Sequence, residues 1–206
     1  MSELGERVAL VTGASRGIGA AVARRLAAEG AAVALVARTA EPGQGRFGGS
    51  LEEVAELIAA QGGRAVPIVA DLSAADADYD RVVEEVSARL GPIDILVNNA
   101  GVALPVTFGA ATAKHWDLTM RLNVWAVWCL ARAVMSTTRP CSPSISAWRF
   151  LIAAVGWEVS AVICVFRSDG MPRIWSASFS AACRLMPIWP ADAMKLLRSS
   201  SSFART

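Results

Sequence analysis

Arg7-Val-Ala-Leu-Val-Thr12-Gly13-Ala-Ser15-Arg16-Gly17-Ile18-Gly19 is the stretch that decides the fold. Its first six residues are a short, almost wholly apolar run ending at a glycine, which suits a strand covered on both faces. Beyond the glycines the period changes. Ile18, Val22 and Leu26 recur every four residues and share one helix face, and Gly30 follows where a helix commonly closes in a left-handed glycine. The stretch therefore reads as strand, glycine-rich turn and helix.

A phosphate group fits that turn for physical reasons. Unpaired N–H groups and the helix dipole favour an anion at the helix N-terminus, the place where a dinucleotide pyrophosphate sits in nucleotide-binding α/β folds. Gly13 permits the tight turn, Gly17 lets backbone approach a phosphate without a Cβ, and Gly19 allows close packing of helix on sheet. Ser15, Arg16 and Ile18 lie inside the same turn. A glycine cluster alone is weak evidence, and the competing reading is a tight βα turn with no ligand.

Working outward, the alternation repeats. Ala32–Ala37 is a second apolar strand; Ser50-Leu-Glu-Glu53 has a capping-box pattern ahead of Val54, Leu57 and Ile58, predicting a helix to about Gln61. Residues 65–70 form a third strand, and residues 78–90 a third helix with Val82, Val83, Val86 and Leu90 inward. Ile93–Val97 is a fourth strand. From Thr112 to about Met135 the pattern is helical again, with Leu118, Leu122, Trp125 and Cys129 as the expected buried stripe. Regular β-α alternation predicts parallel strands joined by right-handed crossovers, hence a Rossmann-like doubly wound α/β sheet.

Four motifs in that order resemble the short-chain dehydrogenase/reductase family over roughly residues 5–135. The glycine spacing is GxxxGxG rather than GxGxxG. Asp71-Leu72 follows the third strand, where the resemblance implies a carboxylate and neighbouring backbone that hold adenine. Asn98-Asn99-Ala100-Gly101 ends the fourth strand, where the family's NNAG motif braces the sheet and lines the cofactor cleft. Asn123 matches a helix asparagine that supports a water in the proton relay. Duller readings stand beside these: a strand-end or N-cap carboxylate for Asp71, turn residues for Asn98 and Asn99. Mid-helix Asn123 needs a partner in either case. The long Pro42–Gly49 connection, with Ser50-Leu-Glu-Glu53, is similar to the hydroxysteroid-dehydrogenase-like branch.

Charge argues the cofactor. NAD-preferring members place a carboxylate near the end of the second strand, which binds the ribose hydroxyls and repels a 2′-phosphate. Here the strand ends Val36-Ala37-Arg38 with no acid before Glu41. Arg38 and Arg16 are expected to pair around the phosphate, giving NADP over NAD.

The remainder of the chain breaks the pattern. Residues 1–135 hold 15 Asp+Glu and 12 Lys+Arg, whereas residues 136–206 hold 3 and 8. Serine rises from 5 to 13 across the same seam, and Pro140, Pro143, Pro172, Pro187 and Pro190 lie beyond it. The expected organisation is a nucleotide-binding region over 1–135 and an atypical tail over 136–206, read as translation in another frame or a replaced C-terminus. The sheet is correspondingly expected to be incomplete.

The resemblance implies a catalytic serine and a Tyr-x-x-x-Lys pair after the NNAG strand. The phenol exchanges a proton with the substrate oxygen, and the ammonium lowers its pKa. The only tyrosine, Tyr79, precedes that strand and is followed at the right spacing by Val83; Lys114 and Lys195 are preceded by Ala110 and Ala191. Catalytic competence is therefore in question. The expected function is alcohol/carbonyl hydride transfer on a small molecule, with a cofactor-binding pseudoenzyme or inactive truncated product as the alternative.

Other classes are excluded or disfavoured by the same sequence. A net charge of +2 without a long basic run gives no footprint for nucleic acid. Cys129, Cys141, Cys164 and Cys183 lack metal-site spacing, and His115 has no indicated catalytic partner. The start shows no secretory signal, so a cytoplasmic location is expected. The apolar run Phe150–Phe166 is short for a membrane span and carries Glu158. A homo-oligomer through the Asn123 helix is what the resemblance implies.

Overall fold

The computed structural model describes residues 4–44 and 48–137, together with the backbone of 148–155 and 160–167. The chain alternates β1 (Val8–Thr12), α1 (Gly17–Ala28), β2 (Ala32–Ala37), α2 (Leu51–Ala59), β3 (Arg64–Val69), α3 (Tyr79–Leu90) and β4 (Ile95–Asn98). A short 3-10 turn, Phe108–Ala110, leads to α4 (Ala113–Met120), a π-helical turn (Arg121–Trp125) and α5 (Ala126–Thr137). Strands β5 (Trp148–Val155) and β6 (Ser160–Arg167) complete the described elements.

The sheet order is β3-β2-β1-β4-β6-β5. The first four strands are parallel, with Leu10 opposite Ala34 in β2 and Leu96 in β4. This is the Rossmann-like half expected from sequence. Beyond β4 the direction reverses: β6 runs antiparallel to β4, with Leu96 opposite Val165, and β5 pairs antiparallel with β6. The apolar run considered for a membrane span thus contributes strand backbone, and no helix among the described residues is long and apolar enough to cross a bilayer.

Side chains alternate across a strand, so the apolar runs supply two cores at once. Ala9, Val11, Val33, Leu35, Ile95 and Val97 face one side and pack with Ala23 and Leu26 of α1 and Val54 and Ile58 of α2. Val8, Leu10, Ala34, Val36 and Leu96 face the other and meet Val82, Val83 and Val86 of α3 and Leu130 and Val134 of α5. Both layers are necessary because the central strands β1, β2 and β4 have almost no exposed side chain.

Local signals fixed several boundaries. Ser50 caps α2 with the reciprocal Glu53 bond of a capping box, as its sequence predicts. Asp78 caps α3, accepting the Arg81 N–H at 2.9 Å. His115 belongs to a second such box: its Nδ1 accepts the Thr112 N–H at 3.2 Å, and this cap accounts for the residue.

Two expectations need correction. Leu57 is half exposed, because Leu51, Val54 and Ile58 already define the inward arc of α2, and that helix ends at Ala59. The α1 face holds as expected: Ile18 and Val22 pack partly buried against the same core as Leu26, beside the buried Gly19, Ala23 and Ala27. The stripe Leu118-Leu122-Trp125-Cys129 does not run straight. The π turn inserts an extra residue and rotates the faces of α5 relative to α4, so Ala126, Cys129, Leu130, Ala133 and Val134 go inward and Trp125 emerges 54% exposed.

Candidate functional site

The glycine-rich turn joins β1 to α1 at the carboxyl end of the parallel sheet, where ligands of open α/β folds bind. Gly13 and Gly17 have φ of +65° and +56°, left-handed values that favour glycine. Their surroundings differ. A Cβ on Gly13 would stand 2.9 Å from the Ala100 backbone, and one on Gly19 would stand 2.2 Å from the Gly13 carbonyl oxygen and 2.5 Å from Asn99 Nδ2. Around Gly17 no described residue lies within 4 Å of that position. Two glycines are thus demanded by packing inside the protein, and the third faces open space.

Asn99 and Thr12 lock this turn to the end of β4. Asn99 Nδ2 donates to the carbonyls of Thr12 and Gly13 at 2.9 and 3.2 Å. The Thr12 hydroxyl accepts the Asn99 and Ala100 N–H groups at 3.0 and 2.9 Å and donates to the Val97 carbonyl at 3.3 Å. By its sequence Thr12 is only the end of a strand. Its signal was the small hydroxyl residue in an otherwise aliphatic run, directly before Gly13. Asn98 is buried, and its Nδ2 has no hydrogen-bond partner among the described residues.

Asn123 finds the partner that a mid-helix asparagine requires. Its Oδ1 accepts the Val102 N–H and its Nδ2 donates to the Val102 carbonyl, both at 2.9 Å. The side chain therefore pins the segment after Asn98-Asn99-Ala100-Gly101 to the π turn, a helical irregularity frequent at functional sites. Leu72, beside Asp71, is buried. Asp71 lies two residues beyond β3, where its Oδ1 accepts the Ser73 N–H at 2.9 Å and the Ser73 hydroxyl at 2.5 Å.

Arg38 leaves the end of β2 and is largely exposed; its guanidinium lies 3.9 Å from Asp71 Oδ2. Arg16 is the extended residue immediately before α1. Arg16, Arg38 and Asp71 accordingly come from the ends of three neighbouring elements on one sheet edge. A dinucleotide could be held by these residues: the Gly17 position, open among the described residues and beside a helix N-terminus, suits a phosphate, with Arg16 next to it in the chain.

Tyr79 is not positioned for proton transfer at this cleft. It is buried, and its hydroxyl donates to the Leu72 carbonyl at 3.0 Å. Burial pushes the phenol above its ordinary pKa of 10.0, with the Cys129 charge adding to the effect. Burial likewise raises the Cys129 thiol. Among the described residues, no group of three or more His, Cys, Asp or Glu could hold a metal ion.

Outside the glycine turn, one open cleft of about 440 Å³ lies between the 74–79 segment and the π turn, bordered by Tyr79, Met120, Arg121, Val124 and Trp125. Trp125 and Trp128 pack with ring centroids 5.2 Å apart, and Arg132 lies 5.7 Å from the Trp128 ring while pairing with Asp80.

A doubly wound sheet with a glycine turn braced by a strand-end asparagine defines the nucleotide-binding class of α/β proteins. The chain belongs to the short chain dehydrogenase family, whose model matches residues 7–140. A short chain dehydrogenase of Pseudocercospora fijiensis is 40% identical over 135 residues, 65% of this chain and 41% of that protein. The short-chain dehydrogenase/reductase FrzI of Cladobotryum sp is 32% identical over 173 residues, 83% of this chain and 64% of its own. Hydroxysteroid dehydrogenase-like protein 2 of Homo sapiens is 38% identical over 124 residues, 60% of this chain and 29% of that one.

A metagenomic short-chain oxidoreductase solved in complex with NADP superposes with a TM-score of 0.57 at 41% identity, over 64% of this chain and 56% of that one. The chain spans about half the length of the curated relatives it matches.

Proposed function

We propose that residues 4–137 hold NADP and serve an oxidoreductase that interconverts a small-molecule alcohol and carbonyl. The observation that carries this reading is the cation set at the adenosine end: Arg16 at the start of α1 and Arg38 at the end of β2, with no acid between Arg38 and Glu41. A 2′-phosphate gains charge-assisted contacts there, whereas a ribose diol finds no carboxylate at the strand end. The NADP complex of a relative 41% identical supports the same choice.

In this reading Gly13, Ser15, Arg16, Gly17, Ile18 and Gly19 receive the pyrophosphate with backbone N–H groups. Arg38 meets the 2′-phosphate, and Asp71 and Leu72 border the adenine. Asn98, Asn99, Ala100 and Gly101 form the floor of the cleft. Asn123 holds the Val102 segment in place beside them. The nicotinamide, when bound, supplies the hydride acceptor or donor.

A second reading, cofactor binding without turnover, is favoured by one specific observation. The single tyrosine is buried with its hydroxyl committed to the Leu72 carbonyl, and no Tyr-x-x-x-Lys occurs in the 206 residues. Titration with NADPH and then an assay of its oxidation against a panel of ketones and aldehydes separates the two. Turnover abolished by Arg38→Ala with Gly17→Val supports the oxidoreductase; tight NADPH binding with no turnover on any substrate supports the second reading. NADH binding as tight as NADPH binding refutes the cofactor preference common to both.

Residues 136–206, of which the family model matches only the first few and the FrzI alignment a further part, are read as a segment altered by a frame change or replacement near residue 135. Sequencing the coding DNA tests this: shifting one base there is expected to restore a Tyr-x-x-x-Lys helix, and its continued absence in every frame overturns the frame change.

A further inference from the structure

We propose that Gly49, in the connection between β2 and α2, is a positioning residue that sets the spacing of Arg16 and Arg38 and thereby the preference for a 2′-phosphorylated nucleotide. The proposal rests on the NADP reading and deepens it. Gly49 has φ of +101°, and a Cβ there would lie 2.6 Å from the Ser15 carbonyl oxygen and 2.9 Å from Arg16 Cβ. The nearer of these atoms is backbone, so the contact cannot be relieved by turning a flexible side chain. The connection leaving β2 therefore returns to press directly on the glycine-rich turn, at the root of the Arg16 side chain.

The two arginines are joined through this contact. Arg38 begins the connection, and Gly49 precedes its last residue, Ser50. The Leu51 N–H donates to the Thr39 carbonyl at 3.1 Å and the Glu52 N–H to the Ala40 carbonyl at 3.2 Å, closing the connection at its neck. The Ala14 N–H donates to the Val36 carbonyl at 3.2 Å, tying the turn back to β2. Ser50 is fully buried and holds the α2 capping box, so the backbone on the far side of Gly49 is fixed too. With the backbone tied at Ala14, Val36, Thr39 and Ser50, the Gly49 contact sets where the root of Arg16 sits against the connection that Arg38 opens. A phosphomonoester held by two guanidinium groups is sensitive to that spacing, because each contact needs short, directed N–H···O geometry.

Gly49→Ala is the direct test, and Gly43→Ala is its control. Gly43 lies in the same connection at φ +81° but has no described residue within 4 Å of a Cβ position, so it carries the conformational strain without the contact. Fluorescence titration of each variant with NADPH and with NADH reads the preference. The expected result is a loss of NADPH affinity of about tenfold in Gly49→Ala, the scale of one charge-assisted contact, with NADH affinity changed less than about threefold. Gly43→Ala keeps the wild-type ratio. In an Arg16→Ala background, Gly49→Ala has no further effect on the ratio, since the spacing then has only one arginine to act on.

Equal loss for both nucleotides in Gly49→Ala, or an unchanged ratio, overturns the positioning role while leaving the NADP reading standing. A wild-type chain that binds NADH as well as NADPH refutes the NADP reading and the positioning role with it. Should Gly49→Ala not fold, hydrogen exchange on the wild-type chain gives the answer. Saturating NADPH is expected to protect the Leu51 and Glu52 amides at the neck more than saturating NADH does. Identical protection overturns the proposal.

Discussion

Thr12→Val gives the sharpest test of how the glycine turn is held. Valine matches threonine in shape, so the substitution removes the hydroxyl and leaves the packing of the β1 terminus almost unchanged. Three hydrogen bonds go with it: acceptance from the Asn99 and Ala100 N–H groups and donation to the Val97 carbonyl. Two backbone donors are then left facing a methyl group. An unsatisfied buried donor costs about 1–3 kcal/mol, and both donors here are only part-buried, which places each toward the lower end. The Val97 carbonyl bond is longer at 3.3 Å and adds little. The expected loss is about 2–4 kcal/mol in total, the sum of two such donors.

Thr12→Ser supplies the comparison. It keeps the hydroxyl and removes one buried methyl group, at a cost of about 1 kcal/mol. Urea denaturation monitored by far-ultraviolet circular dichroism measures both variants, compared by midpoint at constant slope. A Thr12→Val variant within about 0.5 kcal/mol of wild type refutes the reasoning, as does Thr12→Ser proving the more damaging of the two. Because Asn99 N–H is one of the released donors, NADPH affinity is expected to fall in Thr12→Val and to be nearly unchanged in Thr12→Ser.

Gly19→Ala drives a Cβ to within 2.2 Å of the Gly13 carbonyl oxygen and is expected to cost about 3 kcal/mol or more; Gly17→Ala meets no atom of the described residues and costs only the ~1–2 kcal/mol of its left-handed backbone. Thermal unfolding of the pair should keep that order. Asn123→Ala removes both bonds to Val102 and is expected to lose about 1–3 kcal/mol in urea, with faster amide exchange at Val102 as the local signature. Tyr79→Phe removes the bond to the Leu72 carbonyl at a cost of about 1 kcal/mol near neutral pH. The same tyrosine predicts an alkaline effect. Tyr79 and Cys129 are both raised above their ordinary values of 10.0 and 9.0, so the unfolded chain releases these protons first as pH climbs. The native state then binds more protons than the unfolded one, and unfolding free energy declines as pH rises past about 9 and then 10. Below those values the contribution is fully present. Tyr79→Phe should flatten the decline above about pH 10 and leave the earlier part; an unchanged pH profile contradicts the assignment.

Strand and helix order was legible because each segment states its own period. The apolar runs at 8–12, 32–37 and 95–98 alternate between two faces, and both faces are covered. The capping box at Ser50 and the N-cap at Asp78 are local and needed no distant partner. The helix after Thr112 was less legible. A straight 3.6-residue period assigns Trp125 to the core, but a π turn is invisible to that count and turns Trp125 outward.

The site divided in the same way. Residue identity alone determined which groups are present: the glycine spacing, Asn98 to Gly101, Arg16, Arg38 and Asp71, and the want of a Tyr-x-x-x-Lys pair. These are properties of short motifs, whose chemistry is local. Tertiary structure decided what each group touches. It gave Asn99 and Thr12 a shared task across 87 residues of chain, turned Asn123 onto Val102, committed Tyr79 to the Leu72 carbonyl, and pressed Gly49 against Ser15 and Arg16. The direction of pairing beyond β4 was decided there as well. Such contacts join residues far apart in sequence, and their geometry depends on the packing of several elements together, which no single stretch encodes.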